Sequence, residues 1–532
     1  MKRTNFTLSI VTLFLFFFMA SSAYSQTVQS TIQQNGVNWT FKEKMKLSPE
    51  QILNAKGNLS EEQKQELYAK FKAMKVGSEI DVTSGPKLEA EIHAAINPLD
   101  SNNIVISPIR QDLDAGAINC PIYFTKDFGN TWSESSFQNM PYEAGAISGG
   151  GGDPVFAFDA DGKLYFTWID LYGAQMDLLF GEANMGIFWA YSEDGGENWI
   201  KPVHDTVLLG GMQMMMGQPS SITSPISDKQ WMAVDRTNGQ YRNNLYISYV
   251  TIGQSGSTST YQIKCSTKPA GVDEFNHEAE ITTPANFSFV QFASVGVDNM
   301  GYVHVIFYGT NDNGASYAIF HSKSTDGGQS FSAPEKLSDI KFDLYLVDQN
   351  NYDEISGISG QRTYPSPYMR LDMITGNVYA TWTGFGIDSD AGTGADVYFS
   401  RSIDHGDTWS TPIKVNDDAG TNHNYYSSVF VKDNGAVIIS WYDRRDDANN
   451  LNTHYYYAKS LDGGLTFEQN VQVTTVPTDF STIGSQNQEF GVGEYTQVLA
   501  SDNYIIPVWC DGRGNDGNVN VYGDGRRHPF AH

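Results

Sequence analysis

The chain is poor in cysteine, in positive charge and in long apolar runs, and each shortage excludes something. Only 3 Cys occur in 532 residues, which excludes a small disulfide-stapled scaffold. Cys120, Cys265 and Cys510 read as small buried hydrophobes, with a Cys120–Cys510 bridge as the alternative. Lys and Arg number 34 against 61 Asp and Glu, a net charge of −27. With no basic stripe to displace phosphate counterions, non-specific nucleic-acid binding is excluded. Charged residues make up 18%, below the roughly 25% of an average globular chain. Together with 50 Gly and 13% aromatics, this argues against disorder, coiled coils and helical bundles, and for many short strands joined by turns. Beyond residue 25 no segment reaches 18 apolar residues, so no membrane span is expected. The sequence lacks HExxH and CxxC spacings, a phosphate loop, a dinucleotide fingerprint and a Ser-His-Asp order.

What is present begins with an address. Lys2 and Arg3 precede an apolar run, Leu8 to Met19, and Ala23-Tyr24-Ser25 supplies small residues for cleavage. Residues 1–25 therefore read as a signal peptide, and the product as secreted or periplasmic. Residues 26–85 follow as a separate segment. In it, 36–42 alternate as a strand, and Ser60 to Gln63 form a capping box before Leu67, Phe71 and Met74. Residues 44–76 thus read as a helical arm or pro-segment.

A short pattern, S/T-x-D-x-G-x-x-W/F, then returns five times: Thr125 to Trp132, Ser192 to Trp199, Ser324 to Phe331, Ser402 to Trp409 and Ser460 to Phe467. An Asp accepting turn N–H groups, a Gly at positive φ and an aromatic plug describe a hairpin turn. Before the boxes runs a second element, a strand, a turn and a strand ending in an aromatic. Val155–Trp168, Tyr368–Trp382, Val429–Trp441 and Val498–Trp509 carry it clearly, residues 231–249 and 292–308 with degenerate turns, and residues 91–107 give the first. Seven units result, about 60–75 residues apart, each long enough for a four-stranded blade. The third and seventh lack a box, and the outer strand missing from the seventh is expected from residues 36–42. Residues 208–224, rich in Met, read as a lid or apolar patch, and 345–366 as a polar loop leading to Arg362 and Tyr364.

The five boxes resemble the Asp-box, or BNR, repeat of the sialidase-like β-propeller superfamily, over roughly residues 89–525. The resemblance implies an all-β fold: a single β-propeller of seven four-stranded blades over residues 86–532, with six blades as the alternative. It implies that the boxes are structural turns away from the active face. It further implies a secreted, monomeric, carbohydrate-active protein, a glycan-cleaving enzyme of sialidase type acting on acidic sugars. The alternatives are a polysaccharide lyase on uronate polymers and a non-catalytic glycan-binding or adhesion module. The sequence departs from the family in having no Arg-Ile-Pro segment between Glu91 and Arg110.

In such a ring, the loops entering each innermost strand and those after each second strand gather around the axis on one face. They bring Glu91, His93, Asp153, His423, Tyr425, Glu494 and Tyr495 there. By the resemblance, Glu494 and Tyr495 are the nucleophile pair and Asp443 the acid/base, the tyrosine exception among glycosidases. Arg110, Arg362, Arg445 and Arg513 would clamp a substrate carboxylate, with Asp170, Tyr364 and His423 also binding the sugar. Equally, W-x-D-x-R at Trp441–Arg445 and Trp509–Arg513 reads as a structural salt bridge. The lyase alternative would use His93, His423, Tyr364, Tyr425 and Arg362. Asp511 to Asp524 is rich enough in oxygen ligands for calcium, against a plain closing loop.

Overall fold

The computed structural model describes residues 79–524 apart from 84–87, 113–116, 138–144, 257, 342–354, 356–357, 359–363, 391–393, 433–434, 484–491, 502–503 and 515–518. The leader, the strand expected at 36–42 and the helical arm lie outside the described residues. The chain forms a seven-bladed β-propeller, each blade an antiparallel sheet. The innermost strands are Leu88–Ile96 (blade I), Ile147–Phe158 (II), Ile226–Val234 (III), Phe289–Val297 (IV), Tyr368–Leu371 (V), Asn424–Val431 (VI) and Gln497–Ser501 (VII). Each packs on the next, and that of blade VII packs on blade I, so the ring is closed.

Second strands sit between neighbouring blades and are covered on both faces, so they read as continuous rather than alternating apolar runs. Leu164–Gly173, Val303–Thr310, Val378–Gly384 and Val437–Asp443 are buried at every position. Trp168, Trp382, Trp441 and Trp509 recur at one position of these strands and are fully buried. Each such ring removes about 200 Å² from water, about 5 kcal/mol of gross driving force.

Two expectations are corrected. The outer strand of blade VII is Glu79–Asp81, not residues 36–42: it pairs with Asn520–Asp524, Ile80 opposite Gly523. Its anchors are Glu79, which accepts the Thr475 amide (2.6 Å) and pairs with Arg513, and Asp81, which accepts from Asn520. Residues 208–224 are not a lid. They supply strands Thr206–Met215 and Gln218–Ser224, which make blade II five-stranded. Met212 and Met214 of this hairpin are buried, while Met215 and Met216 are exposed. Among the described residues the only α-helix is Gln175–Phe180.

The five boxes share one turn. In blade IV, Ser324 Oγ donates to Asp326 (2.8 Å) and accepts from the Gly328 amide (2.9 Å), while Asp326 accepts from the Ser330 amide (2.9 Å). Gly328 stands at φ +81°, and a Cβ there would lie 2.5 Å from Thr267 Oγ1 of blade III. The box therefore seats one blade on the previous one. A sixth turn of the same construction, unexpected from the sequence reading, runs from Thr310 to Tyr317. Asp312 there accepts from Thr310 Oγ1 (2.8 Å) and the Ser316 amide (3.0 Å), and Gly314 donates to Thr310. It joins the second and third strands of blade IV, at the opposite end of the blade from the Ser324 box.

Candidate functional site

The site is built by one backbone device repeated around the axis. Early in each innermost strand, two residues face a single second-strand residue. In blades I to IV and VI this is a bulge in a continuous ladder, opposite Pro108, Trp168, Tyr249, Phe307 and Trp441. In blades V and VII the same register puts Ser366 and Tyr495 just before the strand, opposite Trp382 and Trp509. The seven equivalent first residues are Glu91, Asp153, Lys229, Phe292, Ser366, Tyr426 and Tyr495. Six of them are left-handed, with φ of 52°, 49°, 53°, 58°, 42° and 52° from Glu91 to Tyr426. For residues with a Cβ this costs about 1–3 kcal/mol each. A bulge re-aims a side chain that regular alternation would place elsewhere, and here those of Glu91, Asp153, Lys229, Phe292 and Tyr495 meet.

At the meeting point stands the Lys229 ammonium. Its Nζ lies 3.2 Å from Glu494, 3.7 Å from Glu91 and 3.9 Å from Asp153, and 5.1 and 5.3 Å from the ring centres of Tyr495 and Phe292. Asp153 is further fixed by the Lys229 amide, which donates to it at 3.0 Å. Since all three carboxylates lie within 4 Å of one nitrogen, their nearest oxygens are pairwise under about 8 Å apart, below the upper limit of about 9.5 Å for glycosidase carboxyl pairs. Burial opposes the charge on Lys229, but Glu494 and Glu91 outweigh it and hold its pKa well above the usual lysine range. Next to it, Asp228 is half-buried. Burial raises its carboxyl to about 6, with the charges of Asp153 and Glu494 adding to the rise and Lys229 opposing it. Tyr495 is buried, and that burial, then Asp153, pushes its phenol up.

Under this cluster the axis is plugged. Trp231 packs edge-on against His93 (5.0 Å) and Tyr368 (4.9 Å). A cavity of about 20 Å³, room for a single water, lies between Lys229, Trp231, Tyr368 and Glu494. Tyr364 reaches the cluster by packing on Phe292 at 5.0 Å.

The structure thus brings Glu494, Tyr495, Tyr364, Glu91 and Asp153 together, and places the other expected residues elsewhere. Asp443 is buried, accepts from the Trp441 indole (2.7 Å) and is gripped by Arg445 (2.8 Å). Arg445 also holds Asp417 (2.5 Å). Arg513 pairs with Asp511 (2.5 Å) and Glu79, and Trp509 donates to Asp511 at 2.9 Å. In both blades the W-x-D-x-R segment forms an ion pair within its own loop, and Arg513 adds a tie to the closing strand. Arg110 bridges Glu89 (2.9 Å) and Glu134 (3.0 Å). Arg362 lies outside the described residues. Asp170, buried with no cation partner among the described residues, takes the Ser148 hydroxyl (2.6 Å), and burial raises its pKa well above the carboxylate range. His93 and His423 each accept a backbone amide on Nδ1, from Phe156 and Ala395 at 3.1 Å. Burial keeps both neutral, His423 down to about 4. The Tyr425 hydroxyl is tied to Thr453 at 3.0 Å.

Lys229 and Asp228 were not anticipated. Aligning the units on the second-strand aromatic, Trp168 with Tyr249, Phe307 and Trp382, places Lys229 level with Asp153 and is the signal that finds them. Among the described residues no group of three or more His, Cys, Asp or Glu is placed to hold a metal ion, and no helix is long and apolar enough to cross a membrane. No family model and no curated protein matches the chain. Solved structures similar to it include a protein of unknown function from Dyadobacter fermentans, 15% identical, covering 70% of this chain and 94% of its own, TM-score 0.43. A Hadza microbial sialidase is 10% identical over 71% of this chain and 66% of its own, TM-score 0.42. An alpha-L-arabinofuranosidase from Fusarium graminearum is 12% identical over 71% and 94%, TM-score 0.39. At these identities none of them bears on substrate or activity.

Proposed function

We propose that this chain is an exported glycoside hydrolase whose reaction centre is the axial cluster. The observation that carries the reading is the convergence of Glu91, Asp153 and Glu494 within 4 Å of one buried ammonium, the first two on the repeated bulges and Glu494 beside the equivalent position of blade VII. Glycosidic cleavage needs a proton donor and a carboxylate on opposite sides of the bond. Asp228, its carboxyl raised to about 6 and so protonated below that pH, suits the donor: its proton passes to the leaving oxygen as the bond to the anomeric carbon breaks. Glu494, paired with Lys229 at 3.2 Å, suits the nucleophile or base, and Asp443, committed to Arg445, is replaced in the acid role. Three carboxylates around one ammonium, with Asp228 next in the chain, favour a neutral or amino sugar over the acidic sugar the arginines would have gripped.

A second reading, a glycan-binding module around a structural ion cluster, is favoured by the roughly 20 Å³ cavity, far below the several hundred Å³ of a ligand pocket. Purified protein would be tested on neutral, amino and acidic glycans, reading reducing ends together with the ultraviolet absorbance of unsaturated products. Reducing ends alone, lost in Glu494→Gln and strongly reduced in Asp228→Asn, support the hydrolase. Absorbance would mean a lyase. Silence across the panel with retained glycan binding would mean the module.

A further inference from the structure

The opposite end of the axis holds a separate chamber. Beyond the Trp231–Tyr368 plug the channel widens to a cavity of about 380 Å³, lined by the later residues of all seven innermost strands, within the range of small-ligand sites. It widens because the residues four after the bulge are small in four successive blades: Ala95, Ala157, Ala233 and Gly296. Phe158, Val297 and Leu499 add apolar wall.

Its charge is the reverse of the molecule's. On a chain of net charge −27, the described lining residues include Arg236, Arg370 and Lys432 and no carboxylate. Arg370 occupies, in blade V, the position that is Ala or Gly in blades I to IV. Its Nη2 donates to the Tyr368 hydroxyl at 3.0 Å, its buried Nε has no hydrogen-bond partner, and it has no carboxylate partner among the described residues. Arg110, Arg445 and Arg513, by contrast, are all paired. The Tyr368 hydroxyl donates onward to Gln497 (2.9 Å), so the guanidinium is held by a fixed phenol. Such a cation in a chamber of this size recognises an anionic head whose body occupies the rest of the space.

We propose that this chamber binds an organic anion, a carboxylate, sulfate or phosphate head on a body that fills the chamber, anchored by Arg370. The site is independent of the reaction proposed above. The test is calorimetric titration of the full chain with decanoate, decyl sulfate and decyl phosphate below their micelle concentrations, with decanol as the neutral control. At least one of the three anions should bind saturably and raise the melting temperature, and which of them binds tightest identifies the head. Arg370→Gln should weaken that binding at least tenfold, and Ala233→Leu, which fills the chamber without touching the charge, should do likewise. Both variants must keep the wild-type circular dichroism spectrum. No saturable binding of any anion, equal binding of decanol, or unchanged affinity in a folded Arg370→Gln would each overturn the proposal.

Discussion

Replacing Lys229 with Met tests whether the axial cluster is an ion cluster in the sense described. Three carboxylates stand 3.2, 3.7 and 3.9 Å from its Nζ. At an effective dielectric of about 20, each contact is worth about 4–5 kcal/mol of gross attraction. Desolvation of four buried charges offsets most of this, so the intact cluster adds little net stability. Removing the cation alone is different, because Glu91 and Glu494, both under 3% exposed, are left buried without it. Such a loss costs about 3–5 kcal/mol, which for a domain of this size is a melting-temperature drop of about 3–6 °C. The pH dependence fixes the cause. Without the ammonium, burial and mutual repulsion raise the carboxyl pKa values above their unfolded values. The folded variant then holds more protons than the unfolded chain, and its stability falls as pH rises from about 4 upward. The deficit against wild type should therefore be largest at pH 7.5 and shrink at pH 5. Thermal unfolding followed by tryptophan fluorescence at both values measures it. A deficit equal at both pH values, or below about 1 kcal/mol at pH 7.5, would refute the account.

Three further outcomes follow from contacts elsewhere. Arg445→Met leaves Asp443 buried with no cation, only the Trp441 indole and the residue 445 amide donating to it, and should cost about 3–5 kcal/mol, whereas the Asp443→Leu/Arg445→Met double variant should recover most of it; denaturant titration of the two distinguishes them. Glu79→Ala removes both the acceptor of the Thr475 amide and the partner of Arg513, and should lower stability by about 1.5–3 kcal/mol if Glu79–Asp81 closes the ring; an unchanged midpoint would deny it that role. Asp228 has its carboxyl raised to about 6, so it contributes stability at low pH that is lost as pH rises through about 4 to 6. That slope should be absent from the melting-temperature profile of Asp228→Asn, and the alkaline fall of any hydrolytic activity near pH 6 should disappear with it.

The blade count was legible because seven units repeat the same strand, turn and aromatic. The closing strand was not. Glu79–Asp81 is three residues long, too short to show a period, and its partners Thr475 and Arg513 lie some four hundred residues on. The same distance problem hid the fate of the arginines. Arg445 and Arg513 sit beside the right face in sequence, but what neutralises them comes partly from other loops and strands, Asp417 and Glu79. A segment such as W-x-D-x-R therefore reads the same whether its guanidinium points to solvent or into a pair. The axial residues were half legible. Glu494, Tyr495, Glu91 and Asp153 were found because the start of each innermost strand was known to reach the axis. Lys229 was missed because unit III has a degenerate turn and no box to fix its register.

The bulge supplies the register that composition lacks. It sits at the same height in every blade, while the residue it turns inward changes from acid to base to aromatic to hydroxyl. A left-handed backbone is unfavourable for each of those side chains, so its recurrence at Glu91, Asp153, Lys229, Phe292, Ser366 and Tyr426 comes from the strand pairing and not from local preference. The ladder on either side of the extra residue over-determines the bend. The fold therefore fixes seven inward positions, and the sequence is free to write chemistry into them. Here it writes two carboxylates and an ammonium in three successive blades, and the seventh blade adds Glu494 beside its own inward residue, Tyr495. Charges placed at that spacing by neighbouring strands meet, and that is why the cluster, rather than any of the arginines, carries the function proposed here.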